Sequence, residues 1–316
     1  MTRDSIQLMR PMSTWVKTIT PINTFLNAIL SILFKNRGNN IVLRLFQSVL
    51  TGELISYQHK MCPYTYITRV SRDLRELQNY PLANSNLEPW LYVAQSHIKK
   101  GDTVFDIGAH IGRHTIHFSH LCGDNGTVYA FEPDRDNYDI LQNNISRNRI
   151  INCKTLPIAL ADKQTNTTLH LNPNSSEGHS IIAKNHTWSS DQHEHIKVKC
   201  QTLDAVCKTN NIDKIKLLKI DVEGAHFLVL QGAARMLSQR TIDLIICEAG
   251  TDTQHISGRT DKELLTQMVE YGYSPFLHDG NDLVRAFASQ EHHGIVDFIF
   301  ISNKYLKSIQ NYKITY

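Results

Sequence analysis

From residue 103 onward the chain alternates regularly between short apolar or β-branched runs and longer stretches with helical spacing. Thr103–Ile107, Thr127–Phe131, Ile215–Ile220 and Asp243–Cys247 predict strands, with shorter ones at Ile158–Leu160, Thr168–Leu171 and Ile196–Cys200. Arg113–Cys122 predicts a helix, as does Asp134–Arg147, whose Tyr138, Leu141 and Ile145 share one face. A further helix is expected over Gly224–Leu237. Asp261–Tyr271 predicts another, opened by the capping box Thr260-Asp261-Lys262-Glu263 and closed by Gly272. Tyr273–Leu277 and Val296–Ile301 end the series.

Such alternation predicts an α/β fold: a mostly parallel sheet with helices on both faces. The last two strands are joined only by a short polar stretch, Asp279 to Gly294, and are expected to pair antiparallel at one edge. The chain before residue 103 is less regular. Trp90–Ile98 predicts a helix ending at Lys99-Lys100-Gly101, and the connector from Tyr80-Pro81 to Glu88-Pro89 predicts a boundary. The expected organisation is an N-terminal extension over 1–84, a main domain over 85–303 and a tail over 304–316.

Within the extension, Ile41–Leu50 predicts a helix, and Leu54–Tyr57 and Thr65–Val70 predict strands. The apolar run Ile22–Phe34 is 13 residues long, short of the roughly 20 needed to cross a bilayer. Its basic flanks, Lys17, Lys35 and Arg37, fit peripheral contact with a membrane surface, and equally a helix packed on the main domain or on a second copy in a homo-oligomer. No signal peptide pattern opens the chain, so a cytoplasmic location is expected.

Composition narrows the field. With 41% hydrophobic and 20% charged residues among 316, the chain can bury a sizeable core, which excludes a disordered or fibrous protein. The net charge of +3 argues against a nucleic-acid partner. Charge is uneven: residues 1–100 carry +7 and the remainder −4. The six cysteines have no C-x-x-C spacing and fit reduced thiols rather than a disulfide frame or zinc site. His110, His114, His117 and His120 fall on one helix face; packing explains them better than a metal does.

In open α/β sheets, ligands bind beyond the carboxyl ends of the strands, and acids stand at four of these ends. The first strand runs into Asp106-Ile107-Gly108-Ala109-His110-Ile111-Gly112, whose small residues allow a tight turn and close approach to a ligand. This is not the G-x-G-x-x-G loop of a dinucleotide site, which disfavours a nicotinamide oxidoreductase. Glu132 follows the second strand, where a carboxylate can accept both hydroxyls of a ribose. Lys219, Asp221 and Glu223 emerge from Ile215–Ile220, with Lys219 and Asp221 on one face, and Glu248 follows Asp243–Cys247.

The runs VFDIGAHIG, FEP, LLKIDVEGAHFLVLQGA and IICE together resemble the FkbM-type family of S-adenosylmethionine-dependent methyltransferases, over about residues 85–303. The resemblance implies a class I methyltransferase fold, a seven-stranded, mostly parallel, Rossmann-like sheet with an antiparallel last strand. It also implies O-methylation of a hydroxyl on a sugar, polysaccharide or related natural product. By position, it assigns Asp106, Gly108, His110 and Gly112 to the methionine part of the donor and Glu132 to the ribose. The segment from Ala159 to Asp162 would lie by the adenine, and Asp221 near the sulfonium. His110 departs from the family's usual Asn.

Methyl transfer to an alcohol is an in-line displacement assisted by a base. Asp221 is the first candidate for that base, followed by Glu223, Glu248 and His226. No metal is required by this reading, although Asp221, Glu223 and Glu248 are suitable oxygen ligands for Mg²⁺. The alternative is a non-catalytic donor-binding or scaffold protein on the same fold.

Overall fold

The computed structural model describes residues 88–308 except 174, 184–193, 280, 281 and 291, together with 7–9, 54–58, 65–69 and 314–315. The expected helices at 22–34 and 41–50 lie outside the described residues. In the first third, β1 (Gln7–Met9), β2 (Leu54–Gln58) and β3 (Thr65–Arg69) form a small antiparallel sheet.

The main domain begins with α1 (Pro89–His97), followed by β4 (Thr103–Ile107), α2 (Arg113–Cys122), β5 (Thr127–Phe131) and α3 (Arg135–Arg147). Next come β6 (Cys153–Leu156), β7 (Ala159–Leu160), β8 (Thr165–His170), β9 (His195–Gln201), α4 (Leu203–Thr209) and β10 (Ile215–Ile220). The chain continues through α5 (His226–Gln231), α6 (Ala234–Ser238), β11 (Ile242–Gly250), α7 (Thr251–Ser257) and α8 (Asp261–Glu270). It ends with β12 (Tyr273–Asp279), β13 (Asp282–Arg285), β14 (Ile295–Ser302), α9 (Asn303–Leu306) and β15 (Ile314–Thr315).

The central sheet runs β15-β13-β12-β14-β11-β10-β4-β5-β6. From β6 to β11 all pairs are parallel, whereas β14 lies antiparallel between β11 and β12. This is the class I methyltransferase arrangement, with one correction to the strand count. Seven strands were expected; eight are present, because β13 folds back on β12 as a hairpin, and the two-residue β15 adds a ninth at the edge. The remaining strands of the domain form a separate sheet, β7-β9-β8.

Alternating side chains of the central strands feed two cores, which explains their nearly unbroken apolar runs. Val104, Leu217, Ile246 and Ile299 pack with Trp90 and Phe118 on one face; Phe105, Leu218, Ile245 and Phe298 pack with Val229 and Leu264 on the other. Each such side chain contributes roughly 1.5–3 kcal/mol when fully buried, so this double core fixes the strand ends from which the site is built.

Helix starts follow side-chain chemistry. Asp134 caps α3 by accepting from the Asn137 amide at 2.8 Å, and the Thr260–Glu263 capping box opens α8 as expected. The single helix expected over Gly224–Leu237 is instead two, because Asp204 of α4 accepts from the Arg235 and Met236 amides at 2.7 and 3.1 Å and caps a new start. No helix among the described residues is long and apolar enough to cross a membrane. The five described cysteines are unpaired, and four of them are buried.

Candidate active site

The first half of the site is the loop between β4 and α2. Gly108 has φ +80°, and a Cβ there would lie 1.7 Å from the carbonyl oxygen of Asp221. Only glycine lets this loop lie against the end of β10. Gly112, at φ +89°, starts α2 and would drive a Cβ into Leu141. Between them His110 takes a left-handed φ of 51°.

Asp106 and Glu132 support this loop. Asp106 is fully buried, accepts the Thr115 hydroxyl at 2.6 Å and lies 3.7 Å from the Lys219 ammonium. Its carboxylate is therefore engaged beneath the loop. Glu132, at the end of β5, accepts the His110 amide at 2.8 Å and the Asp134 amide at 2.9 Å. Burial, reinforced by the charge of Asp134, pushes its carboxyl up to about 8, against the opposing pull of these two amides. Each oxygen has spent one lone pair and can still accept a hydroxyl.

The second half lies at the ends of β10 and β11. Lys219 and Asp221 share a face as expected, 2.9 Å apart. Burial alone would depress the Lys219 ammonium, but the charges of Asp221 and Asp106 outweigh it and hold the group above the usual lysine range. Carboxylate oxygens of Asp221, Glu223 and Glu248 lie within 4.8 Å of one another. Burial first, then the charges of Asp221 and Glu223, raise the Glu248 carboxyl well above its ordinary value. The same three oxygens could converge on one divalent cation, although Lys219 already supplies Asp221 with a positive charge.

Two further acids face this mouth. Asp297 on β14 is the direct cross-strand partner of Glu248, and burial together with the charges of Glu88 and Asp221 pushes it up to about 7. Glu88, just before α1, binds Arg113 at 2.9 Å and His114 at 3.0 Å. Burial would raise its carboxyl, but His114 and Arg113 beside it hold it below the usual carboxylate range. The signal for Asp297 was an acid at the second position of the otherwise apolar run Val296–Ile301. An antiparallel strand presents its beginning, not its end, at this rim.

The remaining candidates lie apart. His226 is 2% exposed beside Phe227 and is pushed down to about 4 by burial and by Arg259; it is not among the converging groups. Ala159 is buried on β7 against Leu169 and Val198, and Asp162 is exposed just beyond that strand. The histidine stripe makes local contacts: His110 with Ser176, His114 with Glu88 and the Trp90 ring, and His117 with Gln95.

A mostly parallel sheet with reversed β14, a glycine turn after β4 and acids gathered at one end define the class I methyltransferase fold. The model for the methyltransferase FkbM domain matches residues 106–275, and the chain belongs to that family. The hexuronic acid methyltransferase AglP of Haloferax volcanii is 24% identical over 159 residues, which cover 50% of this chain and 61% of that relative. The match thus spans less than two thirds of the relative's length. Among solved structures, the FkbM methyltransferase of Methylobacillus flagellatus is 16% identical, with a TM-score of 0.41 over 64% of this chain and 43% of that one. An S-adenosylmethionine-dependent methyltransferase of Aquifex aeolicus is 13% identical, with a TM-score of 0.39 over 72% and 95%.

Proposed function

We propose that the protein is an S-adenosylmethionine-dependent O-methyltransferase acting on a hydroxyl of a sugar, polysaccharide or related natural product. The observation that carries this reading is the contact of Gly108 with the Asp221 carbonyl, which gives the glycine loop and the acid cluster one mouth. A sugar acceptor is further supported by the relative named for a hexuronic acid.

The donor, when bound, supplies an electrophilic methyl group. Glu132 would hold the ribose hydroxyls, and the Gly108–Gly112 turn, with His110, would receive the methionine part. Asp106 acts from below, through Thr115 and Lys219. Ala159 and Asp162 remain the proposed adenine side. Asp221, fixed by Lys219, orients the acceptor hydroxyl and accepts its hydrogen bond as it attacks. Glu248, whose proton affinity burial raises, is suited to taking the proton once ionised, with Glu223 beside it.

The test is calorimetry with S-adenosylhomocysteine and NAD, followed by radiolabelled methyl transfer to a panel of glycan acceptors. Binding of S-adenosylhomocysteine alone, with label entering a sugar hydroxyl, is expected. Binding of NAD, or label entering only non-carbohydrate acceptors, would overturn the reading.

A further inference from the structure

Five non-glycine residues among those described have left-handed backbones: His110, Arg149, Asn211, Glu223 and Arg240. Two of these, His110 and Glu223, lie in the site, one in each half. Residues with side chains hold such conformations only where their surroundings enforce them. Both are gripped by serines of the same loop.

The described residues of that loop are 171–173 and 175–180, after β8. Its base is closed by paired backbone hydrogen bonds between His170 and Ser180, at 2.8 and 3.1 Å. Internally, the Asn172 side chain donates to the Glu177 carbonyl at 3.0 Å, and the Asn172 amide donates to His179 Nδ1 at 3.0 Å. The loop therefore holds its shape through its own bonds, in the manner of a compact Ω-loop.

Its outward bonds go elsewhere. Ser176, 2% exposed, has its hydroxyl 2.7 Å from His110 Nε2, while its carbonyl accepts from Asn137 Nδ2 at 2.9 Å. Ser180, 1% exposed, donates its hydroxyl to the Glu223 carbonyl at 2.8 Å and accepts the Ile182 amide at 3.2 Å. Burying a hydroxyl is costly unless it is bonded, and these two are bonded to the strained residues of the two halves.

We infer that this loop is a clasp across the site and that Ser176 and Ser180 are positioning residues. Ser176 holds the glycine turn through His110, and Ser180 holds the Asp221–Glu223 turn through the Glu223 carbonyl. The assignment of a donor half and an acid half rests on the function proposed above.

The experiment compares Ser176→Ala, Ser180→Ala and Ser180→Thr in the full chain. It reads S-adenosylhomocysteine affinity by calorimetry and amide hydrogen exchange by mass spectrometry. Ser176→Ala is expected to weaken affinity roughly three- to tenfold, the effect of one lost hydrogen bond, and to speed exchange over residues 107–112 only. Ser180→Ala is expected to hold affinity within about twofold and to speed exchange over residues 221–225 only, with Ser180→Thr restoring protection. Equal affinity losses in the two alanine variants, or faster exchange throughout the domain, would reduce the loop to a general structural element and overturn the inference. So would an absence of change at both turns. If the wild-type protein ignores S-adenosylhomocysteine, the donor reading fails, and the exchange pattern still decides the clasp.

Discussion

The two halves of the mouth differ in how their polar groups are satisfied. In the donor half, Glu132 accepts two backbone amides and Asp106 a threonine hydroxyl. In the acid half, Asp221 is fixed by Lys219, but Glu248 and Asp297 form no side-chain hydrogen bond or ion pair among the described residues. The first arrangement is preorganised for a ligand of fixed shape. The second holds carboxyl groups whose raised proton affinity no hydrogen bond among the described residues offsets, which suits a place where protons and acceptors come and go.

The largest expected effect tests that contrast directly. Asp221→Asn should lower turnover about 10²-fold, the cost of an acceptor no longer held in line, and leave S-adenosylhomocysteine affinity nearly intact. A comparable loss of affinity, measured by calorimetry, would merge the two halves into one.

Glu132 gives the next effect. A ribose that donates hydrogen bonds to its carboxylate selects the ionised form. With the group at about 8, affinity should rise about tenfold between pH 7 and pH 9 and then level off. Glu132→Gln should bind more weakly and show a flat profile, as calorimetry at the two pH values will reveal.

Asp297 concerns stability. Its folded value of about 7 is raised above the ordinary 3.8, so its favourable contribution is complete below 3.8 and is lost as pH rises through 7. Asp297→Asn should therefore melt about 2–4 °C above wild type at pH 8 for each kcal/mol recovered, and the gap should close by pH 4. Thermal unfolding at both pH values checks this. Last, treatment with EDTA should leave methyl transfer unchanged; activity lost to the chelator and restored by Mg²⁺ would make Asp221, Glu223 and Glu248 a metal site.

Much of this architecture was visible in the residues. The strands β4, β5 and β10 are buried on both faces, so their apolar runs and boundaries matched the expectation closely. β6 was missed because it is an edge strand whose Asn152, Lys154 and Thr155 surroundings interrupt any apolar run. The hairpin strand β13 and the helix α7 were missed as well, being short and partly polar. The acids at the parallel strand ends were legible because strand order predicts where those ends gather. Asp297 was not, since a rule about the ends of parallel strands passes over β14, which arrives in reverse beside β11. Nor could spacing reveal Ser176 and Ser180, whose partners lie 66 and 43 residues away.

The reversal of β14 has an evolutionary side. The parallel strands pass from the rim into loops and helices that also carry the donor half, whereas β14 is fed by the 286–294 connection, near whose two ends Phe287 and Ile295 are 47% and 61% exposed. Variation in that connection can reshape what is admitted to the mouth without disturbing the glycine turn. A lineage could change its methyl acceptor there and keep its donor chemistry whole.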